Sequence, residues 1–498
     1  MRRSNTTRDA QLAILVAVAL FAVYVAAQRG QIKSYDGSIM VNLATRLLTR
    51  HTLSIDPATD ALHIQSPFAS YGFGTTLLYL PFDALQRAVK PRSAALLTLA
   101  NPMVLAACGS LLYLIGRRIG WRRSVCVLVA LGFGLLTTAL WQSTEAFSEP
   151  GVTLASLVLV FGVLLWPEAE VRGALLVGIG TAMAILFRPD SLLLVAPIAL
   201  LVPFIVPRER ILARRALVAF GTPIAAVAAF QLWYNSYRFG SVLNSGISHQ
   251  ARGRGFDTPI LQGLDLLLRS PSRGFFWTSP ILVLALPGFV FLYRRNRPLA
   301  IALGVAVLAR FLFFARWFTP GGGVAWGPRL LFPVTALLAI AAGATLEQIW
   351  HWPSPRHRGI AWLAVASLAA ASAGVSVLSV AVGYEKYWQQ WTAVSTSAGP
   401  ARSHAYYWSL AHNAIAGNVH LLRTGVALAP IHFRHGPDGV GVFAIAIAVV
   451  AIVTALVAAR NDVGESRSLF GHSDDGRSER SGKSALWNAS TRDGVSQA

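Results

Sequence analysis

The chain has 498 residues, 54% of them hydrophobic and only 13% charged, where a soluble globular domain carries about 25%. With a mean hydropathy of +0.52 and apolar stretches recurring along most of its length, this excludes a soluble enzyme and predicts an all-α polytopic membrane protein. The net charge of +21 is nearly all arginine, with lysine only at Lys33, Lys90, Lys386 and Lys483; lying between hydrophobic runs, the arginines read as a topology signal and not as a nucleic-acid-binding surface.

The basic start MRRSNTTRDA leads into LAILVAVALFAVYVAA without a convincing small-x-small cleavage site, which predicts a retained first span. About twelve spans are expected, near 12–27, 94–116, 124–142, 151–166, 173–187, 191–206, 216–233, 280–293, 298–315, 330–350, 359–382 and 440–459. Five short connections (RRIGWRR, PEAEVRG, PRERILARR, RRNRP and HWPSPRHR) together hold fourteen Lys or Arg, whereas the three short connections near 143–150, 188–190 and 316–329 hold three. The positive-inside rule places the first set in the cytoplasm, with both termini. The long connections 28–93, 234–279 and 383–439 then face outside. Residues 1–460 form one transmembrane domain, and the Ser-, Gly- and charge-rich segment 461–498 is expected to be a disordered cytoplasmic tail.

No GxxxxGK or strand-linked GxGxxG occurs, so nothing points to ATP or a dinucleotide. The cytoplasmic connections are too short to hold a nucleotide-sugar domain, so an activated substrate must arrive on the outer side, most simply on a lipid. Cys108 and Cys126 fall in apolar runs without a CxxC pair. His404, His412 and His420 are spaced by eight and no HExxH is present, so no histidine metal site is expected.

The outer connections carry the polar chemistry. In SYDGSIMVNLATRLLTRH, Met40, Leu43, Ala44, Leu47 and Leu48 recur at helical spacing, predicting a helix lying in the membrane interface. Asp36 opens it, either as a cap or as a reactive carboxylate. SPFASYGFGTTLLYLPFDALQ predicts a second interfacial helix after a glycine break, with Tyr71 and Tyr79 as amphipathic side chains. Glu145 and Glu149 flank the start of the fourth span, and Arg188 and Asp190 lie at another outer end, where ionisable groups face a cavity or a partner. WYNSYRFGSVLNSG carries Arg238. GGGVAWGPR cannot be a helix interior; its glycines shape a backbone for close approach, and Trp326 and Arg329 follow them. An arginine there is suited to fork onto a phosphate.

Taken in order, a first span, an early Asp in a large outer loop, then YGFG, LPF, SEP, FRPD, YNSYRFGS, SPSRGFFWTSP and GGGVAWGPRLLFP resemble the bacterial members of the GT-C superfamily of membrane glycosyltransferases. Relatives include the protein O-mannosyltransferases, lipid A aminoarabinose transferases and actinobacterial arabinofuranosyl- and mannosyltransferases. The resemblance covers residues 10–460. It implies a GT-C-type fold with interfacial helices in the first outer loop. It also implies an enzyme of the bacterial inner membrane, moving a sugar from a polyprenyl-phosphate donor to a cell-envelope glycan, lipid or protein on the outer face, with inversion. Asp36 is the residue that matches the family's catalytic acidic position. Many members carry an adjacent acidic pair there; this chain has Tyr35-Asp36-Gly37, leaving Glu145 or Glu149 to supply a second carboxylate.

Chemistry of that kind needs a base for the acceptor hydroxyl and cations for the departing phosphate. The candidates are Asp36 as base; Arg188, Arg329 and Arg238 for the donor phosphate; and Glu145, Glu149, Tyr71 and Trp326 for the acceptor, the sugar or the second acid. No metal ligands are assigned, although a divalent cation is compatible with the outer carboxylates. Membrane lipid is an expected partner and nucleic acid is not. The rival readings are a lipid-linked-glycan flippase or transporter, and a polysaccharide polymerase or ligase.

Overall fold

The computed structural model describes residues 2–56, 59, 67–89, 95–246, 254–392 and 399–460. The expected tail 461–498 lies outside the described residues, as do Lys90 and Arg252. Helices of eight or more residues are numbered in chain order: α1 Arg2–Ala27, α2 Tyr35–Arg50, α3 Phe73–Val89, α4 Ala100–Ile119, α5 Arg123–Leu135, α6 Glu149–Leu165, α7 Glu170–Phe187, α8 Leu192–Ala199 and α9 Arg214–Phe239. The second half comprises α10 Ile260–Arg269, α11 Ala285–Arg295, α12 Arg297–Arg316, α13 Phe332–Trp350, α14 Pro355–Ala381, α15 Tyr384–Thr392, α16 Gly399–Trp408, α17 Ala414–Arg423 and α18 Gly439–Arg460. No β-strand occurs among the described residues.

Among the described residues, eight helices are long and apolar enough to cross a bilayer: α1, α4, α7, α9, α12, α13, α14 and α18, some extended by a turn. The other four expected spans are helical but shorter or broken, so twelve uniform spans is not the form the chain takes. The 124–142 segment stops at Leu135 and resumes as one turn, Ala139–Gln142. Pro197 lies inside the eight-residue α8, where it removes a backbone donor, and Val202–Ile205 follows as a separate turn. The 280–293 segment begins as a 3-10 turn at Pro280 before becoming α11. The α6 helix is intact at 17 residues.

The centre of the bundle is α13, whose apolar window is buried along its whole length, as expected for a helix apolar on every face. The two helices of the α6–α7 hairpin pack closely on one another: a Cβ on Gly162 would lie 2.8 Å from the Val177 nitrogen. The outer helices bury one stripe each. In α18, Ala444, Ala448, Ala451, Ala455 and Ala459 are buried while Val442, Phe443, Val449 and Val450 are exposed, the apolar outward face of a helix in lipid.

Two ends of the bundle differ in chemistry. At one, Asp9 of α1 takes hydrogen bonds from Tyr113 (2.9 Å), Arg117 (3.2 Å) and Arg123 (2.7 Å), and Glu347 accepts from the Arg122 backbone (3.1 Å). These contacts join the arginine-rich connections. The opposite end gathers the segments 28–36, 69–72, 143–149, 188–190 and 316–329, all of which belong to connections of the other set. The two helices expected in the first outer loop, α2 and α3, both form. They pack on one another: Asp83 is buried and accepts from Thr45 (2.8 Å) and Arg87 (3.1 Å).

Candidate active site

Asp36 lies in the first turn of α2, with Ser34 at the N-cap position. Its carboxylate does not serve as the cap. It is turned instead to two side chains from distant segments: Tyr71 Oη donates to Oδ1 at 2.7 Å, and Arg329 Nη2 donates to Oδ2 at 2.5 Å. The Asp36 side chain is 18% exposed and that of Arg329 13%, so the pair is sheltered and still reachable. Burial tends to raise the Asp36 carboxyl, but the Arg329 charge and the Tyr71 hydroxyl outweigh it and hold it below the usual carboxylate range.

Close backbone packing makes this convergence possible. A Cβ on Gly72 would lie 2.1 Å from the Phe187 carbonyl oxygen, so only glycine lets the Tyr71–Gly74 strip lie against the end of α7. Arg238 secures the same strip from α9: Nη1 donates to the carbonyls of Ala69 (2.6 Å) and Tyr71 (3.2 Å), Nη2 donates to Asn235 (3.0 Å), and the guanidinium lies 3.9 Å from the Tyr234 ring centroid. Arg238 is therefore committed to the backbone that carries Tyr71. Arg329 is set by the glycine loop before it. Gly322 has φ +79°, and a Cβ there would meet the Arg329 side chain at 2.7 Å. The Arg329 guanidinium lies 4.3 Å from the Phe147 ring centroid, a cation–π contact that orients it. Trp326, 1% exposed, is packed inside this loop.

Behind Asp36 the ionic chain continues. Arg188 Nη1 donates to Glu149 (3.0 Å) and its Nε to Asp190 (3.0 Å). Asp190 also receives Arg310 Nη1 at 2.9 Å, and Arg310 Nε reaches the Leu330 carbonyl at 3.2 Å. Arg310 is fully buried and belongs to the cluster no less than Arg188, yet sequence reasoning passed it over. The available signal was an arginine inside the apolar run LGVAVLARFLFF, since a charge at that depth normally has a polar partner. Three carboxylates, Asp36, Glu149 and Asp190, thus face three guanidiniums, Arg188, Arg310 and Arg329.

This architecture is similar to that of ArnT from Cupriavidus metallidurans, solved bound to undecaprenyl phosphate. The TM-score is 0.51 at 18% identity, over 91% of this chain and 77% of that one. The chain has the GT-C fold. The archaeal oligosaccharyltransferase AglB from Archaeoglobus fulgidus, solved with an inhibitory peptide and a dolichol-phosphate, matches at a TM-score of 0.45 and 15% identity. That match covers 80% of this chain and 59% of the archaeal one. No protein-family profile matches the sequence, and no curated protein matches it.

Glu145, the other acidic candidate, lies in the same end of this GT-C bundle but in a separate cluster. Arg29 Nη1 donates both to Glu145 (3.2 Å) and to Glu385 (3.3 Å), and Lys33 donates to Glu385 (2.9 Å). The Glu145 side chain is 3% exposed. Burial pushes its carboxyl up to about 7, Arg29 opposing and Glu385 reinforcing the shift. Glu385, better exposed and held by Arg29 and Lys33, is pulled below its usual value despite partial burial. Among the described residues no group of three His, Cys, Asp or Glu is placed to hold a metal ion. The carboxylates around Asp36 each already accept from a guanidinium.

Proposed function

We infer that this GT-C chain is a glycosyltransferase of the bacterial cytoplasmic membrane. It transfers a sugar from a polyprenyl-phosphate donor to a cell-envelope acceptor on the outer face, with Asp36 as general base. The observation that carries this reading is the Asp36–Arg329 pair, a carboxylate and a guanidinium in one sheltered, reachable junction. ArnT, a structure of the same fold, was solved with a polyprenyl phosphate bound, which supports that donor class. The gathered site end faces outside and the arginine-rich end, with both termini, faces the cytoplasm; residues 1–460 act as one transmembrane domain.

As long as Arg329 holds Asp36, the carboxylate is a weak base, because its pKa is depressed. A donor phosphate competes for the same guanidinium, whose Nε has no hydrogen-bond partner, and Arg188 is the next cation along the chain. Drawing Arg329 onto phosphate frees Oδ2 and raises the basicity of Asp36 when the substrate arrives. Asp36 then takes the acceptor O–H proton and the acceptor oxygen bonds to the anomeric carbon. The anomeric C–O bond to phosphate breaks from the opposite face, its electron pair leaving with the polyprenyl phosphate. That leaving group departs ionised and needs cations, not an acid. Tyr71 holds the second carboxylate oxygen, and Arg238 fixes the strip that bears Tyr71. Glu149 and Asp190 hold Arg188 and Arg310 in place. No step is assigned to Glu145, to Trp326 or to a metal ion.

The test is to incubate membranes containing the protein with a panel of polyprenyl-phosphate sugars. One member should be consumed by the wild type and by no more than a trace in Asp36→Asn. Wild-type protein that consumes none of the panel overturns the donor assignment, and normal turnover in Asp36→Asn overturns the base.

A further inference from the structure

On the far side of the glycine loop from Asp36 lies a cavity of about 420 Å³, within the size range of small-molecule sites. Three segments wall it. One is the start of α10 with the turn before it, bringing Asp257, Thr258 and Gln262; the second is the loop Phe318–Gly323; the third is the end of α16, bringing Tyr407 and Trp408. All three are fixed by hydrogen bonds. Thr258 Oγ1 donates to the Trp317 carbonyl at 2.7 Å. Ser270 Oγ donates to the Tyr407 carbonyl and Ser272 Oγ to the Tyr406 carbonyl, each at 2.6 Å. Arg273 donates to the carbonyls of Ala325, Gly327 (3.0 Å) and Gly323 (2.8 Å). The stretch Ser270–Arg273 therefore ties the aromatic wall and the glycine wall to one turn.

The lining points to a ligand. It combines aromatic rings (Phe318, Tyr407, Trp408) with polar side chains: Gln262, Thr258 and the ion pair in which Arg254 Nε donates to Asp257 Oδ2 at 2.8 Å. That combination suits a ring with an apolar C–H face and a rim of hydroxyls. A purely apolar pocket would serve a lipid tail better.

We propose that this cavity binds a sugar ring and is the acceptor subsite of the enzyme, with Trp408 as the platform and Gln262 and the Asp257–Arg254 pair as hydroxyl partners. The assignment as acceptor subsite rests on the glycosyltransferase reading; the binding of a sugar ring does not. One loop separates the subsite from the base: Gly323 lines the cavity, and the place of a Cβ on the adjacent Gly322 meets the Arg329 side chain. An acceptor seated here extends past the glycines toward Asp36.

The experiment titrates the full chain in detergent, without donor, with methyl α-mannopyranoside, methyl α-galactopyranoside and methyl α-arabinofuranoside. Ligand-observed saturation-transfer NMR reads binding. At least one glycoside should bind saturably, and Trp408→Ala and Gln262→Ala should each weaken it roughly tenfold, with the melting temperature unchanged in at least one of them. Saturable binding that survives both cavity variants, no binding by any of the three, or competition by polyprenyl phosphate alone overturns the sugar site. Because no donor is present, a chain that binds the glycoside at Trp408 but consumes no polyprenyl-phosphate sugar refutes the function and leaves the site standing. A chain that transfers sugar with the acceptor KM unmoved in Trp408→Ala and Gln262→Ala refutes the acceptor assignment alone.

Discussion

Asp36 and Glu145 lie at the same end of the bundle, each bonded to an arginine, yet their carboxyls are driven in opposite directions. Asp36 has a donor on each oxygen, Tyr71 at 2.7 Å and Arg329 at 2.5 Å, and it keeps some contact with the outside. Glu145 is nearly sealed, and the guanidinium nitrogen that reaches it is shared with Glu385. One cation divided between two acids stabilises neither fully, and desolvation decides the outcome for the buried one. Partner type is thus a poor guide to a carboxylate's role. The count of donors per oxygen and access to solvent separate a site that can exchange partners from one that is locked.

The contrast is broken most severely at Asp36. On the proposed mechanism Asp36→Asn keeps the shape and loses the base, so transfer should fall by roughly 10²–10⁴, measured as donor consumed by purified protein of unchanged melting temperature. Arg329→Ala should come next. On the proposed mechanism it removes a donor-phosphate contact, raising the donor KM by about tenfold or more. It also leaves Asp36 without its cation, so the carboxyl rises and the acid limb of the pH–rate profile moves to higher pH. An unchanged acid limb would show that the pair does not govern the base. Tyr71→Phe removes one hydrogen bond to the charged form and should cost roughly tenfold in rate, with a smaller upward move of the same limb.

The helices were readable because their signal is local: an apolar run of span length identifies itself whatever it packs against. The breaks were harder. Pro197 was visible, but whether α8 ends there depends on neighbours that the run does not encode. At the site, Asp36, Arg188 and Arg329 stand at positions where polar residues are conspicuous, at the ends of apolar runs. Their partnerships were not legible, because Tyr71 is 35 residues from Asp36 and Arg329 is 293 residues away. Arg238 is the instructive case. Its place in an outer segment suggested a phosphate ligand, whereas the fold commits its guanidinium to the carbonyls of Ala69 and Tyr71. Arg273 was one of several arginines in an aromatic stretch until the glycine loop, some 50 residues on, folded over it.

The finest test of the contrast is Glu145→Gln. In the folded chain Glu145 titrates near 7, above its ordinary 4.5, so the folded state holds a proton that the unfolded chain has released. Its contribution is fully present below about pH 4.5 and is lost as pH rises to about 7, at no more than about 1.4 kcal/mol per pH unit. Asp36, depressed, contributes in the other sense: its share is present above the ordinary aspartate value near 3.8 and is lost as pH falls through its lower folded value. Between pH 5 and 7 the two should therefore separate cleanly. Thermal melts in detergent should show wild-type stability declining over that interval, and Glu145→Gln, which keeps the neutral shape at all pH, should flatten the decline, while Asp36→Asn should leave it in place. Equal slopes in wild type and Glu145→Gln would mean that Glu145 is ionised in the fold and that Arg29 serves it as fully as Arg329 serves Asp36. A large loss of transfer in Glu145→Gln with the melting profile unaltered would instead return Glu145 to the role of second acid.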